Sequence, residues 1–308
     1  MSLRIAVVGV GYLGRHHARI LSTLPDVDLV AVVDTNRARA DEMAAAHGTR
    51  ACTDYREMVG QVEAVTLAVP TERHRDMAVT FLAAGIPVLV EKPMARSLAE
   101  ADAMIDAAKQ AGVALAVGHT ERFNPAVAAA QSLLTDPRFI EVHRLGTFPE
   151  RSLDIDVVFD LMIHDLDVVL SLVHADVESI EAVGVPVLTG RVDIANARVR
   201  FANGCIANLT ASRISRDRVR KIRFFQPAAY VSIDYAAQKV ELWRLVKTDG
   251  GIPWIHGRDV EVVNEEPLKR ELADFVDAVR ARRAPAVTGE DGRRALALAE
   301  RITDRMTS

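Results

Sequence analysis

The chain has 308 residues, 49% of them hydrophobic and 26% charged, with a formal net charge of −4; this is the composition of a soluble globular protein with room for about two domains of roughly 150 residues. The slight excess of acid argues against nucleic acid or an anionic membrane as a partner, and no apolar run reaches the roughly 20 residues of a transmembrane helix. Two cysteines, Cys52 and Cys205, exclude a disulfide scaffold and a cysteine-based zinc site, and point by elimination to a reducing compartment, the cytoplasm.

The opening run "IAVVGVGYLG" is broken by three glycines and has no small-residue cleavage site, so it does not read as a signal peptide. "RIAVVGV" (4–10) predicts a strand, "LGRHHARILSTL" (13–24) a helix, "LVAVVD" (29–34) a strand and "RARADEMAAAHG" (37–48) a helix closed by Gly48. Strands follow at 64–70, 87–93 and 113–118, separated by helices at 73–84 and 97–111. Fully apolar strands alternating with helices mean a doubly wound parallel sheet covered on both faces. This first domain, 1–119, ends near Gly118.

The pattern then changes. Helices are expected near 124–135 and 157–173, then a series of strands from "VESIEAVGVPVL" to "KVELWRLV", with a hairpin signal at Asn203-Gly204, and two closing helices near 267–282 and 290–305. Sequential strands joined by short turns predict a large, mostly antiparallel sheet open on one face. The fold class is therefore α/β, a doubly wound domain followed by an α+β domain at 120–308.

Chemistry concentrates at three places. "GVGYLG" puts Gly9, Gly11 and Gly14 directly after a strand and at a helix start. Gly9 permits the tight turn, Gly11 the approach of a pyrophosphate and Gly14 the packing of helix on strand, with the helix N-terminus supplying donors. Asp34 ends the next strand about 20 residues on, where it can accept both ribose hydroxyls. Its charge repels a 2′-phosphate, so NAD is favoured, with NADP open because Arg37 and Arg39 lie close by.

"VEKP" (90–93) ends a later strand, and in an open α/β sheet ligands bind beyond the carboxyl ends of strands. Lys92 would point towards the nicotinamide. In "DLMIHDLD" (160–167), Asp160, His164 and Asp167 fall within about 60° of one another on a helix at about 100° per residue. That stripe can be a polar face in water, a buried acid–base pair in which Asp160 orients His164, or an Asp-His-Asp metal site.

Over nearly its whole length the sequence resembles the Gfo/Idh/MocA family. The likeness is carried by "GVGYLGRHHARIL", "AVPTERHRDMA", "EKPMARSLAEADAM", "GHTERFNPA", "DLMIHDLD" and "EDGRRALALAERI". The resemblance implies an NAD(P)-dependent dehydrogenase that moves hydride between a sugar or cyclitol hydroxyl and nicotinamide. It implies a homo-oligomer, dimer or tetramer, built on the open sheet, and no metal. Lys92, Asp160 and His164 are then the catalytic set, with His164 the base and the Lys92–Pro93 bond expected to be cis. Tyr12, Leu13, Pro70, Thr71, His74 and Glu91 join the glycines, Asp34, Arg37 and Lys92 as cofactor residues. Glu121, Arg122 and Asn124 shape the sugar pocket with Lys92, Asp160 and His164. Ile155-Asp156 stands where many relatives carry Gly-Gly, and the local pattern looks more like the branch that oxidises the 3-hydroxyl of a UDP-activated amino sugar. Arg213, Arg218 and Lys221 could meet its diphosphate, or equally form a solvated or oligomer-facing strand edge.

Two alternatives remain at this level. One is a dehydrogenase of free sugars or inositols. The other is a cofactor-binding regulator without turnover, against which the Lys92, Asp160 and His164 set argues. His16 and His17 read as packing or phosphate-proximal groups, Asp167 as a local cap or pair, and Cys205 as core.

Overall fold

A computed structural model of the chain describes residues 2–148, 155–246 and 253–306. The chain up to His119 and the segment Leu268–Leu296 form one compact unit; Thr120–Pro267 and the chain from Ala297 form another.

In the first unit the chain runs β1 (Leu3–Val8), α1 (Gly14–Leu21), β2 (Val27–Val33), α2 (Arg37–His47), β3 (Arg50–Cys52), β4 (Ala64–Leu67), α3 (His74–Ala83), β5 (Val88–Glu91), α4 (Leu98–Ala111) and β6 (Leu115–Gly118). All six strands are parallel, in the order β3-β2-β1-β4-β5-β6. Helix ends follow local chemistry. Asn36 caps α2 by accepting from Arg39 N and Ser97 caps α4 by accepting from Glu100 N. Gly48 and Gly112 close the same helices in the left-handed conformation, φ 62° and 66°, where a side chain would be strained. The strand order reverses between β1 and β4, and the carboxyl ends of those strands open the crevice where a dinucleotide binds in this architecture.

The second unit starts with a short 3₁₀ turn at Thr120–Phe123 and continues through α5 (Pro125–Gln131), β7 (Phe139–Leu145), a π-helical turn at Val158–Met162 that leads directly into α6 (Ile163–Leu172), and then β8 (Val177–Val185), β9 (Ile194–Phe201), β10 (Ile206–Ser212), β11 (Val219–Gln226), β12 (Ala229–Asp234), β13 (Lys239–Val246) and β14 (Trp254–Val260). The eight strands form one sheet in the order β14-β13-β12-β11-β7-β10-β9-β8. Every pair is antiparallel except β7 with β10. Alternation decides the faces. Ile140, Val142, Val199, Leu209, Ile222, Phe224, Val231 and Leu242 are buried with Val158, Met162, Leu166 and Val169 in one core. Their neighbours along each strand, among them Phe139, Phe225, Tyr230 and Trp243, lie on the other face and are partly or fully exposed. Phe225 packs against Phe139 and Tyr230 there, with ring centres 5.6 and 5.0 Å away.

Two helices end the chain, α7 (Pro267–Ala281) and α8 (Gly289–Met306). The expected second span, 120–308, is therefore interrupted. Leu272, Phe275 and Val276 of α7 are buried with Ile5, Leu21, Val32 and Leu89 in the core of the first unit. Thr288 pairs with Ala116, and Val117 N–H donates to Val287 O at 3.2 Å. The physical reason is the apolar stripe of α7, which finds a face of the parallel sheet to cover. The first unit's leading segment ends at His119, and the division inside α8 lies between Leu296 and Ala297. No helix among the described residues is long and apolar enough to cross a membrane.

Candidate active site

The glycine turn fits a dinucleotide. Gly9 has φ 84°, and a Cβ there would stand 2.5 Å from Ala68 O; a Cβ on Gly14 would stand 1.7 Å from Gly9 O. Both positions need glycine on steric grounds. A Cβ on Gly11 would meet nothing closer than Arg39 Nη1 at 4.0 Å, so its face of the turn is open for a pyrophosphate. Helix α1 has no side-chain cap at its start, and Tyr12 and Leu13 in the turn are 54% and 41% exposed. Backbone donors and the positive end of the helix are thus presented at the mouth of the turn.

Asp34 lies at the end of β2, nearly buried. Its Oδ2 accepts Val10 N–H at 3.1 Å and Arg39 Nη1 at 3.3 Å, and its Oδ1 accepts Asn36 N–H at 2.8 Å. These bonds fix the carboxylate at the lip of the crevice. Arg37 is turned the other way, paired with Asp41 one turn along α2 at 2.9 Å and exposed. Of the two arginines, Arg39 is the one beside the Asp34 carboxylate.

Pro70 and Thr71 follow β4 at its carboxyl end, in the turn that precedes α3. His74 was expected among the cofactor residues, but both its ring nitrogens are engaged by backbone: Nδ1 lies 3.0 Å from Pro93 O and Nε2 2.9 Å from Val69 O. It is 1% exposed; burial pushes its pKa down while the two carbonyl contacts push it up, and the ring braces two loops against each other. One of those loops is the Lys92–Pro93 turn, whose peptide bond is cis. Glu91 is buried, and Lys92, next in the chain, is half-buried.

In the second unit, Asp160 sits inside the π-helical turn and His164 in the first turn of α6; both are half-buried. Ile163 N–H reaches back five residues to Val158 O. Such wide turns recur at functional sites and shift every side chain before them relative to those after. Asp156 starts the turn: its backbone carbonyl accepts from Phe159 and Asp160 N–H, both at 3.1 Å, and its Oδ1 accepts Val192 N–H at 2.9 Å. The Asp156 carboxylate therefore helps to hold the turn that carries Asp160.

Asp160 and His164 are joined by the π-helical turn and the start of α6, and Asp167, one turn further on, is buried in a pair with Arg122, Nε to Oδ2 2.9 Å. Asp165, which the sequence reading passed over, is buried too. Arg144 holds it through two bonds, Nε to Oδ2 at 2.6 Å and Nη2 to Oδ1 at 3.0 Å, and donates a third to Glu121 Oε1 at 3.0 Å. Burial works against the Arg144 charge, but Asp165 and Glu121 outweigh it and the guanidinium is held firmly charged. The same burial pushes Asp165 upward, yet the two-bond geometry is that of an ionised carboxylate. Arg144 also lies over the Tyr235 ring, 5.3 Å from its centre. An arginine at an inward position of β7, in line with Ile140 and Val142, is the signal that could have found this pair.

The three residues expected to shape the sugar pocket have different surroundings. Glu121 keeps a partly open carboxylate between Arg144 and Asn124 Nδ2, the latter at 3.3 Å. Arg122 is engaged by Asp167. Asn124 is 2% exposed; it caps α5 by accepting Ala126 N–H at 3.1 Å and donates to Tyr235 O at 3.0 Å. Asn124 is thus a cap, not an open pocket group. Arg213 is corrected as well. It is buried against Asp193 at 3.3 Å and donates to the carbonyls of Ile155 and Val192, so it cannot meet a diphosphate. Arg218 is exposed, and Lys221 pairs with Asp234 at 3.5 Å.

Comparison with known proteins places this geometry. Residues 3–119 match the family described as "Oxidoreductase family, NAD-binding Rossmann fold" and residues 130–226 match "GFO/IDH/MocA C-terminal domain". UDP-N-acetylglucosamine 3-dehydrogenase of Acidithiobacillus ferrooxidans is 38% identical over 302 residues, covering 97% of this chain and 96% of that protein. The chain belongs to the Gfo/Idh/MocA family. A solved structure of the same Acidithiobacillus enzyme superposes with a TM-score of 0.93 at 37% identity, over 99% of this chain and 97% of that one. Myo-inositol 2-dehydrogenase of Thermotoga maritima is 27% identical, over 96% and 94% of the two chains. As a Gfo/Idh/MocA oxidoreductase, the chain pairs an NAD-binding Rossmann domain with a mostly antiparallel second domain.

Proposed function

We propose that this oxidoreductase uses NAD to oxidise the 3-hydroxyl of UDP-N-acetylglucosamine to the ketone, or runs the reverse reduction. The main support is the end-to-end likeness to an enzyme of that name at 38% identity. Retention of Lys92, Asp160 and His164 supports turnover rather than sensing. NAD is preferred to NADP because the fixed Asp34 carboxylate stands where a 2′-phosphate would have to go, and like charges at close range cost several kcal/mol.

When bound, the nicotinamide ring supplies the hydride acceptor. The chain supplies the rest. Lys92 donates a hydrogen bond to the hydroxyl oxygen and stabilises the negative charge that builds on it. His164 takes the hydroxyl proton. Asp160 orients and electrostatically supports the protonated imidazole. No step needs a Lewis acid. The aromatic row on the open face of the large sheet is the proposed contact between copies of the chain in a dimer or tetramer, and the cytoplasm is the proposed compartment.

The test is a spectrophotometric assay of NAD reduction with UDP-N-acetylglucosamine, UDP-glucose, glucose and myo-inositol in parallel. Reduction with the UDP-amino sugar alone supports the reading. Reduction with inositol or glucose instead overturns the substrate and favours the kinship with the Thermotoga enzyme. Lys92→Met and His164→Ala are each expected to lower kcat by about 10²- to 10⁴-fold. A variant of either kind that turns over at the wild-type rate overturns the mechanism.

A further inference from the structure

Three ionisable side chains from three elements of the first unit meet away from water. His17 from α1, Glu91 from the end of β5 and Glu271 from α7 are 0, 5 and 1% exposed. One ligand-type atom of each lies within 4.8 Å of the others. His17 Nε2 is 3.0 Å from Glu91 Oε1, and the second oxygen of the same carboxylate accepts the backbone N–H of Lys92 at 3.3 Å. Gly118 of the neighbouring strand leaves room for it: a Cβ there would stand 3.1 Å from the Glu91 carboxyl atoms. Glu91 is thus held on one side by a helix, on another by a glycine and in front by the lysine's own backbone.

A carboxylate so placed stays charged only if it is paired and hydrogen-bonded. Burial alone would raise its pKa; the hydrogen bond and charge of His17, with the charge of Lys92, hold it below the usual carboxylate range. His17 lies three residues beyond Gly14, on the helix whose first turn faces the pyrophosphate. The same side chain therefore touches the cofactor-binding helix and the segment that presents Lys92.

We propose that His17 is a positioning residue for the reaction: through Glu91 it fixes the backbone of Lys92 and keeps a buried counter-charge beside the lysine. This rests on the reading of Lys92 as the group that contacts the reacting oxygen. The titratable groups around Glu91 are His17 from α1, Lys92 itself, Glu271 from α7 and His74 from α3. Loss of the His17 donor leaves only the charge and backbone N–H of Lys92 to oppose burial and the nearby Glu271 at Glu91, which then takes up a proton at higher pH. Lys92 then loses its counter-charge, and its ammonium gives up a proton at lower pH than before.

The experiment compares wild type with His17→Leu, His17→Gln, Glu91→Gln and Lys92→Met. One readout is kcat and its pH profile with NAD and UDP-N-acetylglucosamine. A second needs no turnover: the pH dependence of Lys92 acetylation by acetic anhydride, followed by mass spectrometry. His17→Leu should lower kcat about 10- to 100-fold, the cost of a misplaced catalytic group, while the dissociation constant of NADH changes little. Its acid limb should move to higher pH, and its Lys92 acetylation curve to lower pH. His17→Gln, which keeps an N–H near the Nε2 position, should restore most of both. Glu91→Gln, close to isosteric, should shift the acetylation curve even if His17→Leu does not fold. An unshifted curve in Glu91→Gln overturns the proposal, and so does a failure of His17→Gln to rescue. A stoichiometric metal ion held by His17 in the purified protein also overturns it, since Glu91 would then be a ligand. Wild-type turnover by Lys92→Met would sink the reading of Lys92 and this inference with it. A dead Lys92→Met beside an unaffected His17→Leu would sink this inference alone.

Discussion

Arg122 and Asp167, 45 positions apart in the chain, form a two-bond ion pair, Nε to Oδ2 at 2.9 Å and Nη2 to Oδ1 at 3.3 Å. Asp167 is 2% exposed and Arg122 18%, so the pair is dry on one side and edges towards solvent on the other. It ties the turn that carries Glu121 to the helix that carries His164. Arg122→Ala leaves a buried carboxylate uncompensated and should cost about 2–4 kcal/mol in urea unfolding, somewhat less than a fully buried pair. Arg122→Lys should recover only part, because an ammonium cannot make both bonds. If the pair also holds Glu121 in place for the sugar, KM for the sugar rises in Arg122→Lys while NADH affinity stays put. Equal unfolding midpoints for Arg122→Ala and wild type would remove the pair from the account of this unit's stability.

Gly118 offers a second check. A methyl group there would press on the Glu91 carboxylate from 3.1 Å, tighter than ordinary contact. Glu91 cannot retreat, since His17 and the Lys92 N–H hold both oxygens. Gly118→Ala should therefore cost about 1–3 kcal/mol in thermal or urea unfolding. It should also lower kcat more than it weakens NADH binding. A Gly118→Ala protein as stable and active as wild type would mean that the Glu91 carboxylate is free to move.

The dinucleotide domain was legible from the sequence because its signals are local. Gly14 is demanded by its contact with Gly9 inside the turn and Gly9 by its own φ of 84°, although Ala68 also presses on Gly9 from just past β4, and Asp34 stands at the end of the adjacent strand. The strand β7 was not legible. Arg144 interrupts the apolar series of Ile140 and Val142 on its inward face, and only the sheet shows that Arg144 faces inward to a carboxylate 21 residues away. The π-helical turn at Val158–Met162 was not legible either, because nothing in the local composition announces it. His17 looked like packing because its partner Glu91 lies 74 residues further on. The return of α7 to the first unit is a tertiary choice of the same kind, made by which apolar face is left uncovered.

Asp193 predicts a pH dependence. Its carboxylate accepts N–H bonds from Val187, Leu188 and Thr189 at 2.8, 2.7 and 2.9 Å and the Thr189 hydroxyl at 2.7 Å. Burial would raise its pKa, but these donors more than reverse that and pull it down to about 2. A depressed carboxyl stabilises the fold fully above the ordinary value of about 3.9 and loses that contribution as pH falls towards the folded value. Asp193→Asn also strips Arg213 of its buried partner, a loss of about 3–5 kcal/mol. The gap in urea midpoint between wild type and Asp193→Asn should be constant from neutral pH down to about 5 and should narrow below about 4. A gap that stays constant through that range would place the stabilisation elsewhere.

Cofactor choice can be tested at Asp34 without knowing the sugar. The carboxylate is fixed by Val10 N–H, Asn36 N–H and Arg39 Nη1, so it cannot swing away from an incoming 2′-phosphate. Asp34→Ser removes the negative charge, keeps a short acceptor for Val10 N–H and frees Arg39 to pair with a phosphate. The expected result is weaker NADH binding, by about 10-fold for the lost charged hydrogen bonds, together with tighter NADPH binding. The two changes act in the same direction on preference, so the ratio of dissociation constants should move by about 100-fold, roughly 2.7 kcal/mol. Fluorescence titration of wild type and Asp34→Ser with both reduced cofactors measures it. If wild type already binds NADPH as well as NADH, Arg39 outweighs Asp34 and the preference for NAD proposed above is wrong. If Asp34→Ser leaves the ratio unchanged, the carboxylate does not face the ribose, and the glycine turn alone carries the case for the dinucleotide.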